Sequence, residues 1–440
     1  MPEQRSLRPS PALLFLAASS LAIITLSCLG AALSWKGLVG INTTTLWYVQ
    51  SVAWLALTTC VVRCDTASRQ HIMRMMFPAI LLCVAFSALP HGLYSDDLLR
   101  YQWDGWLTMH AASPYAYAPI DPALSGLSFT NGSASLPQQL PYGDMHTIYP
   151  PGAQMLFGVA SAVSGGNDVL WKLTYWVLLV IPCMVLWRLT PKPSRVWLMI
   201  VALSPVVLLH GFTDAHIDAF MAVLIALALI MRQRESAVAS AIILGIAISI
   251  KYLPILFIPA IVAGSTRRDT VKMISLTLIT VGVIYLPFLG EDLLGSLGTF
   301  AQTWQTNSLA FTILAEFTPE AFIRPIIGTV MLVVAAYVIQ RWRGQPLTAT
   351  SLVLNIIVLL SPVVHPWYLL APLALCLLTP LRSTIVMTST IALYAIGLET
   401  FKGSGVWLEH PAALAVEFLP GMIAFAIDVR RGPLPLLDQD

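Results

Sequence analysis

Long uninterrupted apolar runs recur along almost the whole chain and restrict what it can fold into. Most are about 15 to 25 residues long, the length of a helix that crosses a hydrocarbon core of about 30 Å. Of the 440 residues, 57% are hydrophobic and 10% are charged, whereas soluble domains carry about 25% charged residues. The sequence therefore predicts an all-α polytopic integral membrane protein, one transmembrane domain over residues 1–440 with about 12 to 14 transmembrane helices.

The apolar segments are predicted to form fourteen spans, of which the shortest are open to a re-entrant arrangement. They cover residues 11–34, 45–62, 74–91, 168–188, 195–210, 216–231, 236–250, 252–264, 271–290, 322–340, 348–364, 366–380, 383–399 and 411–427. Both termini then lie on one side of the membrane. An alternative topology makes residues 151–164 a crossing and merges residues 236–264 into one helix.

The positive charges orient the chain. With cytoplasmic termini, six of the 24 lysines and arginines lie outside or at the outer boundary, namely Lys36, Arg100, Lys172, Lys251, Arg324 and Lys402. The positive-inside rule favours this orientation over the alternative topology. We therefore expect a multi-pass protein of the inner (plasma) membrane, with its polar motifs and its active site on the extracytoplasmic face. Residues 92–167 form the first outer loop and residues 290–321 a second one.

A cluster of carboxylates marks the first outer loop. Ser95 is a suitable N-cap for a short helix over residues 96–109, on which Asp97, Arg100, Tyr101 and Asp104 share one face. Asp97 and Asp104 are then about 10 Å apart along the helix axis, so the two carboxylates have separate roles. One can accept a proton from a hydroxyl, while Arg100 can bind a phosphate. The alternative is an interfacial amphipathic helix whose acids are only solvated.

Aromatic and histidine residues follow in the same loop. Tyr115 and Tyr117 lie between two prolines in an extended segment, where they can form a platform for a sugar ring or anchor the loop at the membrane interface. The chain returns to the membrane through His146 and Tyr149. The next apolar stretch, residues 151–164, is too short to span and is predicted to form a helix along the surface.

Three further polar motifs cap neighbouring spans on the same side. They contain His210, Asp214, His216 and Asp218; Lys251; and His365, Trp367 and Tyr368. Lys251 and His365 can supply positive charge or a hydrogen bond to a phosphate, although a lysine at a helix end also snorkels for purely structural reasons. The His/Asp group without cysteine is a weak ligand set, so a divalent metal is not favoured as a cofactor.

Taken in order, several of these motifs resemble a known enzyme family. The segments are DDLLRYQWDGW, SPYAYAP, TIYPPGAQ, SPVVLLHGFTDAHIDAF, SIKYLPILFIP and SPVVHPWYLLAPL. They resemble membrane glycosyltransferases of the GT-C superfamily, closest to the polyprenol-phosphate-mannose-dependent mannosyltransferases of glycosyltransferase family 87 (GT87).

The resemblance implies a GT-C fold with juxtamembrane helices in the first outer loop. It also implies an inverting transfer of a sugar, mannose being the expected one, from a polyprenyl-phosphate donor to a hydroxyl of a lipid-linked or cell-envelope glycan. The family's catalytic base corresponds to Asp97, four residues before Tyr101, although the adjacent Asp96 leaves the choice between the two open. Arg100, Lys251 and His365 are expected to bind the donor phosphate.

The remaining residues of these motifs are expected to bind substrate: Tyr101, Asp104, Tyr115, Tyr117, His146, Tyr149, His216, Asp218, Trp367 and Tyr368. The expected partners are the donor lipid, the glycan or glycolipid acceptor and the bilayer, with no nucleic acid. Two alternatives stay open. One is a transporter or flippase of lipid-linked or small polar solutes, whose polar site lies near the membrane midplane between repeated halves. The other is a GT-C enzyme that uses a pentose or a protein acceptor.

Overall fold

The computed structural model describes residues 10–90, 92–131, 134–191 and 194–437, and these residues are mostly helical. In chain order the α-helices are α1 (Pro11–Trp35), α2 (Thr43–Arg63), α3 (Thr66–Ala88), α4 (Asp97–Met109), α5 (Pro151–Ser164), α6 (Asp168–Leu189), α7 (Arg195–Ala202), α8 (Asp218–Gln233), α9 (Ala237–Ile250), α10 (Ile258–Val262), α11 (Arg267–Tyr285), α12 (Leu297–Thr303), α13 (Leu309–Ala315), α14 (Glu320–Arg341), α15 (Pro346–Leu360), α16 (Leu370–Leu375), α17 (Arg382–Thr390), α18 (Tyr394–Ser404) and α19 (Pro411–Arg431).

Shorter elements join these helices. A π-helical segment covers Val206–Thr213, and 3-10 segments cover Pro122–Leu124, Leu253–Phe257, Leu286–Phe288, Pro366–Leu369 and Ile391–Leu393. Strands β1 (Phe129–Asn131) and β2 (Ala134–Leu136) form an antiparallel hairpin, in which Phe129 faces Leu136.

Eight helices in the described part of the chain are long and apolar enough to cross a membrane. They are Pro11–Trp35, Thr43–Arg63, Thr66–Ala88, Asp168–Leu189, Arg267–Phe288, Glu320–Arg341, Arg382–Ser404 and Pro411–Arg431. A ninth span results if Arg195–Ala202 and Val206–Thr213, which meet at a bend of 67°, count as one. The prediction of an all-α, multi-pass membrane protein is confirmed. The other predicted spans are helices too, but shorter: α8, α9, α15 and the segments Leu253–Val262 and Pro366–Leu375.

The structure decides between the two helical patterns considered for residues 236–264. Helix α9 ends at Ile250, and Lys251 has an extended backbone, with φ −153° and ψ 139°. A 3-10 turn with Pro254 follows, and proline has no N–H to continue a helical ladder. The single long helix of the alternative topology is therefore not formed, and Lys251 is the residue at the break.

The described residues divide into two compact units. Unit one contains Met1–Leu93, Thr190–Thr213 and His365–Asp440, and unit two contains Tyr94–Leu189 and Asp214–Val364. In unit one, α17 is fixed to α19 by the buried carboxylate of Asp428, which accepts hydrogen bonds from Arg382 Nη1 at 2.9 Å and Ser383 N at 2.8 Å. Unit two contains both outer loops and most of the predicted site residues.

Two close backbone contacts in unit two set the position of the first outer loop. A Cβ at Gly105 of α4 would lie 2.3 Å from the Phe157 carbonyl oxygen of α5, and a Cβ at Gly152 would lie 2.6 Å from the Ser249 carbonyl oxygen of α9. Only glycine, which has no side chain, permits such approaches. Helix α4 is therefore packed directly on α5, and α5 on the end of α9 that precedes Lys251.

The start of α4 differs slightly from the prediction. The helix begins at Asp97, with Asp96 at the N-cap position, whereas Ser95 was expected to cap a helix from residue 96. The Ser95 hydroxyl accepts a hydrogen bond from the Asp97 N–H at 3.2 Å. Asp97 therefore occupies the first turn, where a negative charge is favoured by the helix dipole.

Candidate active site

Helix α4 presents its charged residues as the spacing predicts. The Nε atom of Arg100 lies 2.8 Å from Asp104 Oδ1, and the Tyr101 hydroxyl lies 3.5 Å from Asp97 Oδ2. These i, i+4 pairs confirm that the four side chains share one face. They also place the two carboxylates in different surroundings, as the predicted separation of their roles requires.

Three groups from different elements converge on one oxygen of Asp97. Its Oδ2 atom lies 3.5 Å from the Tyr101 hydroxyl, 3.3 Å from the Tyr149 hydroxyl and 3.4 Å from His216 Nδ1. The His216 side chain is fully buried, whereas 36% of the Asp97 side chain is exposed. Asp97 is thus held from behind by the protein while part of it faces outward. Asp96 is exposed.

The two tyrosines behind Asp97 are buried and act as hydrogen-bond donors. Burial, followed by the charge of Asp97 among the other causes, raises the pKa of both Tyr101 and Tyr149 well above the ordinary value. The ring of Tyr101 stacks on Phe157 with centroids 4.6 Å apart and meets Tyr149 edge-on at 5.0 Å. Both hydroxyls therefore stay protonated at neutral pH.

The Asp104 side chain, in the middle of α4, is enclosed by the protein. Asp104 is fully buried, and its second oxygen accepts a hydrogen bond from Gln154 Nε2 at 3.0 Å. Gln154 Nε2 also lies 2.9 Å from Thr147 Oγ1. Since both oxygens are engaged inside the protein, the structure gives Asp104 a supporting position under Arg100. The expected role of Asp104 in substrate binding stays a prediction.

Arg100 has a donor left over. Its side chain is 14% exposed, and its Nη2 atom is buried with no hydrogen-bond partner among the residues that the structure describes. A buried guanidinium N–H without an acceptor is costly. The planar fork of Arg100 is thus fixed by Asp104 through Nε, while its Nη2 has no acceptor among the described residues.

The predicted His/Asp and Lys motifs adjoin this group. The His216 carbonyl accepts a hydrogen bond from the Tyr175 hydroxyl at 2.6 Å, which fixes the loop before α8. Asp218 begins α8 and is buried, and both of its oxygens contact Lys251 Nζ, at 2.7 and 2.8 Å. The Lys251 side chain keeps 23% exposure. Lys251 therefore pairs with the buried carboxylate of Asp218 and also reaches the surface.

The residues considered as metal ligands are distributed over both units. Asp214, His216 and Asp218 lie in unit two and His210 in unit one. His210 is buried, with its ring 5.2 Å from that of Trp47. A divalent metal stays an unfavoured prediction.

The two tyrosines of the predicted platform in the first loop lie in different surroundings. Tyr115 is 2% exposed, its hydroxyl donates to the Tyr149 carbonyl at 2.7 Å, and its ring meets Phe288 edge-on. It supports the Tyr149 backbone and offers no face to a sugar. Tyr117 is 37% exposed and His146 is half-buried, so both remain accessible.

The predicted His365 motif forms an aromatic cluster in unit one. The His365 ring stacks on Trp367 at 4.3 Å and 8°, and Tyr368 meets it edge-on at 5.5 Å. His365 Nδ1 lies 3.0 Å from the Tyr394 hydroxyl. The expectation that Trp367 and Tyr368 flank His365 is thus confirmed by the geometry, while the roles of all three in substrate binding stay predictions.

Sequence reasoning missed the residues that support the site from within. Gln154 fixes Asp104, and Tyr175 fixes His216. Tyr175 also continues an aromatic column through Trp171, whose ring stacks on it at 5.9 Å. The sequence did contain a signal for Gln154, because it is a long polar side chain in the first turn of a mostly apolar helix. Tyr175 lies within a span and had none.

Comparison with known proteins gives two family matches. The family profile of Glycosyltransferase family 87 matches residues 147–366, and that of the MptB C-terminal domain matches residues 320–426. No curated protein and no solved structure matches the chain. The first match begins at Thr147 and includes His216, Asp218 and Lys251. Since it covers half of the 440 residues, the chain belongs to glycosyltransferase family 87 and is a membrane glycosyltransferase.

Proposed function

We propose that this glycosyltransferase moves mannose, with inversion, from a polyprenyl-phosphate donor to a hydroxyl of a lipid-linked or cell-envelope glycan. The observation that carries the proposal is the environment of Asp97. A carboxylate that is partly exposed and backed by Tyr101, Tyr149 and His216 is suited to accept a proton from an incoming hydroxyl. Inverting transfer needs one such base.

Asp97 is the better candidate for that base than Asp96. The three contacts behind Asp97 fix its carboxylate, and catalysis depends on such positioning. Asp96 is exposed at the N-cap position, whereas the side chain of Asp97 is partly enclosed. In the proposed step the acceptor oxygen attacks the anomeric carbon, its proton passes to Asp97, and the bond to the lipid phosphate oxygen breaks.

Arg100 and Lys251 are proposed to bind the phosphate that leaves. Negative charge accumulates on its oxygens as the bond breaks, and preorganised cationic donors stabilise that charge. Arg100 offers its buried Nη2, and Lys251 reaches the surface while paired with Asp218. Asp104 and Asp218 then act as positioning residues. His365, from unit one, stays a third proposed donor on sequence grounds.

The remaining assignments follow the family and the sequence. The match to the MptB C-terminal domain, a mannosyltransferase, supports mannose as the sugar. Tyr117, His146, Trp367 and Tyr368 keep their proposed roles in substrate binding. The positive-inside rule supports an inner-membrane protein with cytoplasmic termini and an extracytoplasmic active site. A cysteine placed at Gly143 should then be labelled by an impermeant thiol reagent on intact cells, and labelling of one at Arg69 instead would contradict this orientation.

A panel of synthetic donors tests the function directly. Purified full-length protein is incubated with polyprenyl-phosphate mannose, glucose, galactose and arabinose, each with an octyl α-mannopyranoside acceptor. The products are identified by mass spectrometry, and the anomeric configuration of the new linkage is determined by NMR. We expect consumption of the mannose donor and a product of inverted anomeric configuration. Consumption of the arabinose donor alone would assign the protein to pentose transfer. Retained configuration would contradict the single-base mechanism.

A further inference from the structure

Two aromatic rings from the two outer loops meet at the surface of unit two. Tyr142 of the first loop is 51% exposed, and its ring lies 5.0 Å from that of Trp304, at an angle of 64°. Phe300 extends the group, with its ring 5.4 Å from Trp304. Trp304 and Phe300 are half-buried. These three residues, here called the aromatic shelf, were not singled out in the sequence.

Backbone contacts hold Tyr142 and Trp304 of the shelf in place. Tyr142 has φ +54°, a left-handed conformation that is uncommon for a bulky residue and that clusters at functional sites. Its carbonyl accepts a hydrogen bond from Met145 N at 3.0 Å. The Trp304 carbonyl accepts one from Arg324 Nη2 at 2.9 Å. An exposed tyrosine kept in an unfavourable conformation indicates that the position of its ring matters.

The shelf lies beside the proposed active site. Thr147, five residues after Tyr142, contacts Gln154, which in turn holds Asp104. Gly295 of the second outer loop packs on the same segment, where a Cβ at Gly295 would lie 2.1 Å from the Thr147 carbonyl oxygen. Two residues after Thr147, the Tyr149 hydroxyl lies 3.3 Å from Asp97 Oδ2. Both loops that carry the shelf therefore pack at the segment that contacts the proposed base, and the charge of Asp97 contributes, after burial, to the raised pKa of Tyr142.

We infer that the aromatic shelf binds a pyranose ring of the glycan acceptor and so presents its hydroxyl to Asp97. This inference rests on the proposed function. A pyranose has an apolar C–H face that packs against an aromatic ring, and binding pockets are commonly lined by such rings with few polar groups. The shelf takes over the role that the sequence suggested for Tyr115.

The acceptor fits the shelf better than the donor does. The donor enters with its phosphate at Arg100 and Lys251 and its lipid chain in the bilayer. Tyr142 lies instead in a loop turn, between Pro141 and Gly143, and is contributed to the shelf together with residues of the second outer loop. A membrane anchor would also use exposed aromatic rings. A membrane anchor would not require the rings to lie beside the proposed base. Loss of an anchor would leave the acceptor KM unchanged, whereas loss of an acceptor contact would raise it.

Kinetics with two substrates test the inference. In the full-length enzyme, Tyr142→Ala and Trp304→Ala are each assayed with polyprenyl-phosphate mannose and octyl α-mannopyranoside. Removing a contact made equally in the ground and transition states raises KM and leaves kcat unchanged. We expect the acceptor KM to rise roughly tenfold, within the range for one lost apolar contact in a pocket, with the donor KM and kcat unchanged. Tyr142→Phe and Trp304→Phe should restore the acceptor KM.

Two controls keep the outcomes separate. Phe317→Ala removes an aromatic side chain that is 83% exposed in the same outer loop and should leave the acceptor KM unchanged. Binding of octyl α-mannopyranoside to the donor-free enzyme, measured by saturation-transfer NMR, should weaken in the shelf variants even if turnover is low. An unchanged acceptor KM and unchanged NMR signal would overturn the shelf assignment while leaving the proposed transferase intact. A wild-type enzyme that transfers no sugar, yet loses NMR binding in the variants, would overturn the function and keep the shelf.

Discussion

The first turn and the middle of helix α4 carry the same type of side chain in opposite environments. Asp97 is 36% exposed and contacted by two tyrosines and a histidine. Asp104, seven residues on, is fully buried and held by a guanidinium and an amide. A carboxylate that is held by long contacts of 3.3 to 3.5 Å and is open on one side can exchange a proton. One that is enclosed by a cation cannot leave its pair without a large cost.

The comparison assigns chemistry to one end of the helix and positioning to the other. Arg100 lies between them and is fixed by Asp104. Substitutions in the first turn of α4 are therefore expected to lower kcat. Substitutions in the second and third turns are expected to weaken donor binding and to lower stability. The following substitutions test that division, in order of decreasing effect.

Asp97→Asn should have the largest effect. The amide keeps the shape of the side chain and loses the charge that accepts the proton. Loss of a general base costs on the order of 10²- to 10⁴-fold in rate, and kcat in the mannose transfer assay should fall by this amount. Donor binding and the thermal unfolding temperature in detergent should be retained.

Asp96→Asn is the matched control at the neighbouring position. It should cost much less, because Asp96 is exposed and Asp97 is the proposed base. The reverse ranking, with Asp96→Asn inactive and Asp97→Asn active, would transfer the base role to Asp96. Full activity in both single variants and the double variant would rule out the proposed mechanism.

Arg100→Lys should have the next largest effect. Lysine keeps the charge and loses the planar fork that can hold Asp104 and a phosphate at once. Loss of one hydrogen bond to a charged group, about 1.5 to 3 kcal/mol, corresponds to a roughly ten- to hundredfold fall in kcat/KM for the donor. Arg234→Lys, in an arginine that bonds only the Leu189 carbonyl among the described residues, should show no such fall. Unchanged donor kinetics in Arg100→Lys would reduce Arg100 to a partner of Asp104.

Gln154→Leu should have the smallest effect on turnover. It removes the hydrogen bonds to Asp104 and Thr147, so the unfolding temperature should fall, since a hydrogen bond to a charged group contributes about 1.5 to 3 kcal/mol. If Gln154 also positions Arg100 through Asp104, the donor KM should rise severalfold with kcat retained. Gln138→Leu, in an exposed residue of the same loop, serves as the control. A lower unfolding temperature with an unchanged donor KM would make Gln154 purely structural.

Local periodicity explains which parts of the site the sequence predicted. The face of α4 follows from the geometry of one helix, and the positions of Asp97, Arg100, Tyr101 and Asp104 were therefore predictable. The class of membrane protein followed from the lengths of the apolar runs. The lengths of the shorter helices did not, because proline and the extended Lys251 end helices inside segments that are apolar throughout.

Long-range contacts explain the rest. Tyr115 looks like a surface aromatic in its own segment, and its burial depends on Tyr149 and Phe288, which are distant in the sequence. The aromatic shelf joins Tyr142 to Trp304, from separate loops. Such pairs depend on how the loops pack, and a single sequence contains no periodic signal for them.

The glycine contact between α4 and α5 has a consequence for engineering this enzyme. Because any side chain at Gly105 would collide with the Phe157 carbonyl, the orientation of the proposed base is inherited from a helix that begins some fifty residues later in the chain. Transferring the carboxylate motif alone into a related scaffold would thus move the proposed base without the helix that orients it. A transferable unit would need the stretch from Tyr94 to Ser164 and also His216 and the end of α9, because Asp97 contacts His216 and α5 packs on α9.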